Sequence, residues 1–313
     1  MTVEIREATA SDAPGIRRVF ENVFGAPLSE EEWRWKFADD PDGWRGVVAV
    51  LDGEVVGTYL GWGTRFLLEG QERLLYSVGD VATEKRARGM GAHRSAFGRM
   101  AETFFSGVAG EVPFCYGFPG ARHERVSERI VGSRTLFPIR LVLTPCDAFG
   151  KAPADVDAGD QAPEGYDALW QAARAGLDFA AVRDRRRVNW RFHARPNRHY
   201  RMVWRRQGRD VTGWAALSIW QGSATVVDYL GRDARGADLP DLFAAAAEEA
   251  RRHGASRLVF WRTPGGPGSR WIEGLPGERA DAGFPMISRV FDEDAVRRFA
   301  AGLHLTPSLY DMT

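Results

Sequence analysis

The sequence predicts an α/β fold repeated in two tandem copies, and three observations carry that expectation. Stretches of alternating apolar residues joined by tight turns are interspersed with stretches whose apolar residues recur at helical spacing. At 313 residues the chain is longer than one core usually supports, about 250 to 300 residues. The strings "WKFADDP" (35–41) and "WRFHARP" (190–196) share Trp, a basic residue, Phe and Pro at the same offsets, with matching elements downstream of each.

The first copy opens on the strand pattern "VEIREA". Ser11 can cap a helix with Pro14 in its first turn; Ile16, Val19, Phe20, Val23 and Phe24 form its apolar face, and Gly25 ends it. "SEEE" starts a second helix through a capping box of Ser29 and Glu32, and that helix carries Trp33 and Trp35. "GVVAVLDGEVVGTYLGW" reads as a hairpin turning at Asp52-Gly53, and a turn at Glu69-Gly70 leads into the strand "RLLYSVGDVAT". A helix striped with Phe97, Met100, Ala101, Phe104 and Phe105 comes next, then the strand "VPFCYGF", the helix "ARHERVSERIVG" and the strand "FPIRLVLT". Residues 151–163, rich in Pro, Ala, Gly and Asp without periodicity, read as a linker. In the second copy a hairpin turns at Gln207-Gly208, "SATVVDYLG" takes the place of "YSVGDVAT", and the helix "LPDLFAAAAEEARRHG" precedes the strand "RLVFW". Each hairpin places a glycine in its second strand, Gly57 and Gly213.

Composition narrows the function classes. Lys plus Arg and Asp plus Glu both total 42, so any basic patch is local and no nucleic-acid partner is expected. The run "RDRRRVNWRF" (183–192) reads as a solvated helix face. Cys115 and Cys146 make no disulfide framework and have no ligand-like spacing with His, so no metal is expected. No signal peptide and no apolar run of about 18 residues is present, which points to a cytoplasmic protein with no membrane partner. Trp33, Trp35, Trp44 and Trp62 are core packing or the lining of an apolar acceptor pocket.

The stretch "VATEKRARGMGAHRSAF" (81–97) joins a strand to a helix through an arginine- and glycine-bearing turn. A helix N-terminus presents unpaired N–H groups and the positive end of the helix dipole, and glycine lets an anion approach them. Arg86 and Arg88 add charge. No Gly-Lys-Ser/Thr follows and the third glycine of a dinucleotide fingerprint is missing, so neither familiar phosphate loop applies. In the second copy, "GRDARGADLPD" lacks such a turn.

Arg86-x-x-Gly89-x-Gly91, with a strand before it, a helix after it and the element order of residues 3–145, resembles the signature of the GNAT (GCN5-related N-acetyltransferase) family. The repeated arrangement resembles tandem GNAT proteins, including the group that holds the aminoglycoside-modifying enzymes of mycobacteria. The resemblance implies two tandem GNAT-like domains, each a mixed, mostly antiparallel sheet flanked by helices. Residues 1–150 would be the acyl-CoA-binding domain and 151–313 a degenerate copy that completes the acceptor cleft. It further implies the pyrophosphate of acetyl-CoA on Arg88, Gly89, Met90, Gly91 and Ala92, and the pantetheine arm along Val81, Ala82 and Thr83, beside a bulge and a splay of strands. No metal belongs to that chemistry.

For catalysis the resemblance implies a carboxylate base on the fourth strand, here Asp80, whose other reading is a buttress of the bulge. A tyrosine acid four residues before a glycine is the family habit; before Gly132 that position is Glu128, a departure that leaves the acid open. His123 is a further acid or base candidate, Tyr116 reads as core, and Cys115 has no base partner. The C-terminal carboxylate of Thr313 could reach the site by analogy with tandem relatives. The reading is an N-acetyltransferase acting on a primary amine of a small molecule or peptide. Its alternatives are use of another acyl-CoA, or CoA binding by a scaffold without turnover. Acceptor identity and a homo-oligomeric state stay open.

Overall fold

Asp52 and Gly53 (φ 52° and 81°) and Glu69 and Gly70 (φ 55° and 76°) take left-handed conformations, and each pair reverses the chain between long strands. Such turns match the twist of the strands they join. The computed structural model of the protein describes residues 3–88, 95–233, 236–263 and 265–310. In chain order the elements are β1 (Glu4–Glu7), α1 (Ala13–Phe24), α2 (Glu30–Trp33), β2 (Trp44–Leu51), β3 (Glu54–Leu68), β4 (Gln71–Thr83), α3 (Ala96–Val108), β5 (Phe114–Gly117), α4 (Ala121–Val126) and β6 (Arg134–Pro145). Next come β7 (Val156–Gly159), α5 (Tyr166–Arg174), β8 (Phe179–Ala181), α6 (Arg185–Val188), β9 (Arg201–Gln207), β10 (Asp210–Trp220) and β11 (Ser223–Gly231). The last are α7 (Leu239–Arg252), β12 (Arg257–Trp261), α8 (Ser269–Gly274), β13 (Glu278–Val290), α9 (Glu293–Gly302) and β14 (Leu303–His304).

By its contacts the chain divides into two units that are not contiguous in sequence. The first comprises Met1–Arg65, Arg73–Pro138 and Gly283–Val296, and the second Phe66–Glu72, Ile139–Ala282 and Arg297–Thr313. In the first, strands run β1-β2-β3-β4-β5-β13. β4 and β5 are parallel, while β1 to β3 and the β5–β13 pair are antiparallel, so the sheet is mixed. One face packs Ile16 and Val19 of α1 and Trp33, Phe37 and Trp62 into a core with Val48 and Leu60. The other face holds α3, where Phe104 and Phe105 meet Tyr59.

The second unit repeats this plan, with the order β6-β12-β11-β10-β9-β7. α7 packs on one face through Leu242, Phe243 and Ala246, and α5 packs with Tyr166, Leu169 and Trp170 in a second core alongside Trp214. The recurring Trp-basic-Phe strings explain themselves. Ser29 caps α2 and Asp184 caps α6, each helix widens into a π turn (Arg34–Ala38 and Asn189–His193), and a hairpin follows. In each hairpin a bulge falls just before the glycine, at Val56 and Thr212, and the glycine lets a helix come close. A Cβ on Gly57 would lie 3.0 Å from Met100 of α3, and one on Gly213 would lie 3.5 Å from Leu242 of α7.

Three local expectations are corrected. Ser11 is not the cap before α1: Asp12 accepts from Thr9 N (2.8 Å) and pairs with Arg6 (2.7 Å), while Ser11 only meets the Thr9 hydroxyl. The 151–163 stretch contains β7, which pairs with β9. Its outward residues Asp155 and Asp157 pair with Arg205 and Arg206, so charge rather than apolar alternation marks the strand. The 183–192 run is not a solvated face, because Arg183 and Arg191 are buried.

The Asp12 carboxyl is held down to about 2, first by the Arg6 guanidinium and also by Thr9, against the opposing effect of burial. A depressed folded value adds stability above the unfolded carboxylate range, near 4, that is lost as pH falls toward the folded value. Asp12→Ala is therefore expected to cost about 1 kcal/mol at pH 7, and less at pH 2, in denaturant titrations at both pH values.

Candidate active site

The end of β4 is where the first unit gathers its chemistry. Asp80 has φ +48°, a left-handed conformation inside strand β4, and Asp is among the few side chains that adopt it readily. Its backbone carbonyl accepts from the Thr58 hydroxyl at 2.8 Å. Gly79 beside it lies under Trp62, where a Cβ would come within 2.5 Å of the indole. Lys36, from the π turn after α2, reaches the Asp80 carboxylate at 2.6 Å, and both side chains are only 10% exposed. The same ammonium lies 4.6 Å from the centre of the Trp62 ring. Asp80 thus has a charged partner that the sequence reading did not name.

β4 and β5 run side by side at Tyr76–Cys115 and Ser77–Tyr116. β5 ends at Gly117, whereas β4 continues past the Asp80 kink through Val81, Ala82 and Thr83. Parallel strands that separate in this way leave main-chain N–H and C=O groups of the longer one beyond its neighbour, where an extended ligand can pair with them. A single 3-10 turn, Lys85–Ala87, follows the strand, anchored by Glu84 N on Val56 O at 2.9 Å. Helix α3 starts at Ala96, with Ser95 accepting from Gly98 N at 3.1 Å. Gly89, Met90, Gly91 and Ala92 lie outside the described residues, as does Thr313.

Arg86 and Arg88 behave differently. Arg86 is exposed, and its guanidinium binds Glu84 (2.7 Å) and Glu54 (2.6 Å). Burial opposes ionisation of Glu84, but Asn22 and Arg86 outweigh it and its carboxyl lies below the usual range. Arg86 is thus a clamp on the turn in this state, and Arg88, which donates to Thr83 O at 3.0 Å, ties the turn back to the strand end.

The other candidates stand on different elements. His123, exposed on α4, sets its ring 5.9 Å from Phe97; desolvation there, then the charge of Arg122, lowers its pKa from the ordinary value. Glu128 is exposed in the π turn Ser127–Val131, and its carbonyl accepts from Gly132 N, which ends that turn in a left-handed conformation. Tyr116 is buried, its hydroxyl 3.3 Å from that of Thr64. Burial pushes the Cys115 thiol up to about 12, so it is not a thiolate at neutral pH. Trp33, Trp35 and Trp62 are buried, and Trp33, Phe37, Trp44 and Trp62 pack on one another as core. Among the described residues, no group of three His, Cys, Asp or Glu could hold a metal, and no helix is long and apolar enough to cross a membrane.

Residues 4–126 match the family model described as an acetyltransferase (GNAT) domain. This segment is a GNAT domain. The chain as a whole has the GNAT fold. It is similar to a probable N-acyltransferase of Enterococcus faecalis, with a TM-score of 0.70 at 12% identity over 94% of this chain and 74% of that one. A GCN5-related N-acetyltransferase from Anabaena variabilis gives 0.69 at 11% identity, over 93% of this chain and 73% of that one. The N-myristoyltransferase of Saccharomyces cerevisiae, solved with bound myristoyl-CoA, gives 0.56 at 10% identity, over 97% and 89%. No curated protein matches the chain. In the GNAT domain the strand before the arginine turn and the helix after it are both in place.

Proposed function

We propose that the protein is an N-acetyltransferase that moves the acetyl group of acetyl-CoA to a primary amine of a small molecule or peptide. The observation that carries this reading is the end of β4: Val81–Thr83 run on beyond β5 and open into the arginine turn. In this proposal the pantetheine arm pairs with Val81, Ala82 and Thr83, and the pyrophosphate takes the turn from Arg86 and Arg88 to Ala92. Residues 1–150 carry the acyl-CoA site and 151–313 a copy without one. Asp80 is the base, and Glu128 and His123 are the acid candidates that the sequence offers. The protein works in the cytoplasm and needs no metal.

A second reading, acyl-CoA binding without turnover, draws support from the ion pairs that engage Asp80 and Arg86 and from the exposed Glu128. Use of a longer acyl-CoA is a variant of the first, and the myristoyl-CoA bound by the yeast relative supports it. The deciding experiment is calorimetric titration of acetyl-CoA and free CoA into wild type and Gly91→Glu. Glutamate puts bulk and negative charge where the phosphates would lie, so binding should be lost in a variant that melts like wild type. Equal binding by both proteins, or none by wild type at millimolar ligand, would remove the acyl-CoA reading.

A further inference from the structure

We propose that Lys36 is the general acid of the acyl-transfer site, the role left open by Glu128. This inference rests on the acetyltransferase reading above. Of the 42 cationic side chains only three are lysines, Lys36, Lys85 and Lys151. In a chain that mostly uses arginine, a lysine stands buried against the kink of β4, 2.6 Å from Asp80, one residue before the strand end that would receive the pantetheine arm.

The repeat supplies an internal comparison. Arg191 occupies the matching place in the second copy, between Trp190 and Phe192 of the equivalent π turn. Its guanidinium donates to the Tyr200 hydroxyl (3.2 Å) and to the carbonyls of Ser308 (3.0 Å) and Tyr310 (2.9 Å). That is a structural task, and a guanidinium suits it because it has five fixed donors and keeps its proton in proteins. If position 36 had only to neutralise Asp80, arginine would serve at least as well through a two-point contact. An ammonium differs in one property that matters for chemistry: it can give up a proton and take it back.

The step balances. The acceptor's neutral amine attacks the thioester carbonyl carbon, the N–C bond forms, and the C–S bond breaks with its electron pair going to sulfur. The leaving sulfur takes a proton from Lys36 Nζ and departs as a thiol. The acylated nitrogen, positively charged after the attack, loses its extra proton to the Asp80 carboxylate, which returns it to Lys36. The pair ends as it began, and no other reactant is consumed.

With three lysines, protein labelled with 15N in lysine side chains reports on Lys36 directly, its signal being the one that Lys36→Arg removes. Adding free CoA should move the Lys36 signal and leave that of Lys151 in place. Lys36→Arg should keep the melting temperature and the Kd for acetyl-CoA. Its kcat for thiol release with an amine panel should fall at least ~100-fold at unchanged KM, the usual weight of a lost acid. If Lys36→Arg melts early, Lys36→Gln takes its place in the same assays. Turnover equal to wild type in the folded variant, or a Lys36 signal indifferent to saturating CoA, would overturn the assignment alone. Wild type that binds acetyl-CoA yet releases no thiol with any amine would overturn the acetyltransferase reading, and the assignment with it.

Discussion

Arg183→Met is expected to destabilise the second unit by about 3–5 kcal/mol, a large part of what usually holds a domain together. Arg183 and Asp228 are almost fully buried, and the guanidinium Nε donates to both carboxylate oxygens, at 2.9 and 3.1 Å. Its other nitrogens donate to Ala181 O and the Thr306 hydroxyl, and Thr306 and Tyr229 N in turn donate to Asp228. Removing the cation leaves Asp228 with two neutral donors and no counter-charge, where ionisation is costly. A denaturant titration followed by tryptophan fluorescence reads the effect, and a companion Arg183→Met/Asp228→Leu variant should recover part of the loss because no charge is then stranded. If the single variant unfolded at the wild-type midpoint, the network would not hold the unit together.

The same network shows how the copies have diverged. Asp228 lies beside a bulge in β11 as Asp80 lies at the kink of β4, yet Asp228 is locked by three groups of its own unit, Arg183, Tyr229 N and Thr306. The loop after β12 contributes too, through Tyr229 OH on Pro267 O at 3.1 Å. A carboxylate spent on such contacts has little left for a substrate. This agrees with the sequence observation that the second copy lacks the arginine-glycine turn.

Much of the first unit was legible because its signals are local. Asp52-Gly53 and Glu69-Gly70 announce their turns by residue type, and the helical spacing of Phe104 and Phe105 marks the buried stripe of α3. β7 was not legible, because its partners are fixed by Asp155 and Asp157 meeting arginines about 50 positions away. Beyond the strand "RLVFW" the chain supplies β13, whose Ile287–Val290 pair with β5 of the first unit. Such long-range pairing has no local signature. Within the proposed site, Asp80 and the strand Val81–Thr83 are named from the motif that follows them. Lys36 was missed, since nothing nearby in sequence ties position 36 to position 80. Two signs were present: the scarcity of lysine, and the Trp-Lys-Phe string that becomes Trp-Arg-Phe in the second copy.

The second large effect is expected from Asp80→Asn, and it separates the two readings of that residue. Asparagine tolerates the left-handed backbone at φ +48°, so the kink should persist, whereas a β-branched residue would strain it. What changes is the charge. Lys36, 10% exposed, loses the carboxylate 2.6 Å away, and a cation stranded there should lower stability by about 3 kcal/mol. As the proposed base, Asp80 should also carry turnover, which is expected to fall about 10²- to 10⁴-fold. The double variant Lys36→Met/Asp80→Asn then divides these effects. Removing the cation as well should return stability toward wild type, because the unpaired charge is gone and methionine fills similar space against Trp62. It cannot return a proton acceptor, so turnover should stay low. Thermal melting and thiol release measured on the four proteins of this cycle would show that divergence. Stability and turnover recovering together would make the Lys36–Asp80 pair a buttress of the kink, and the proton would have to leave by another group.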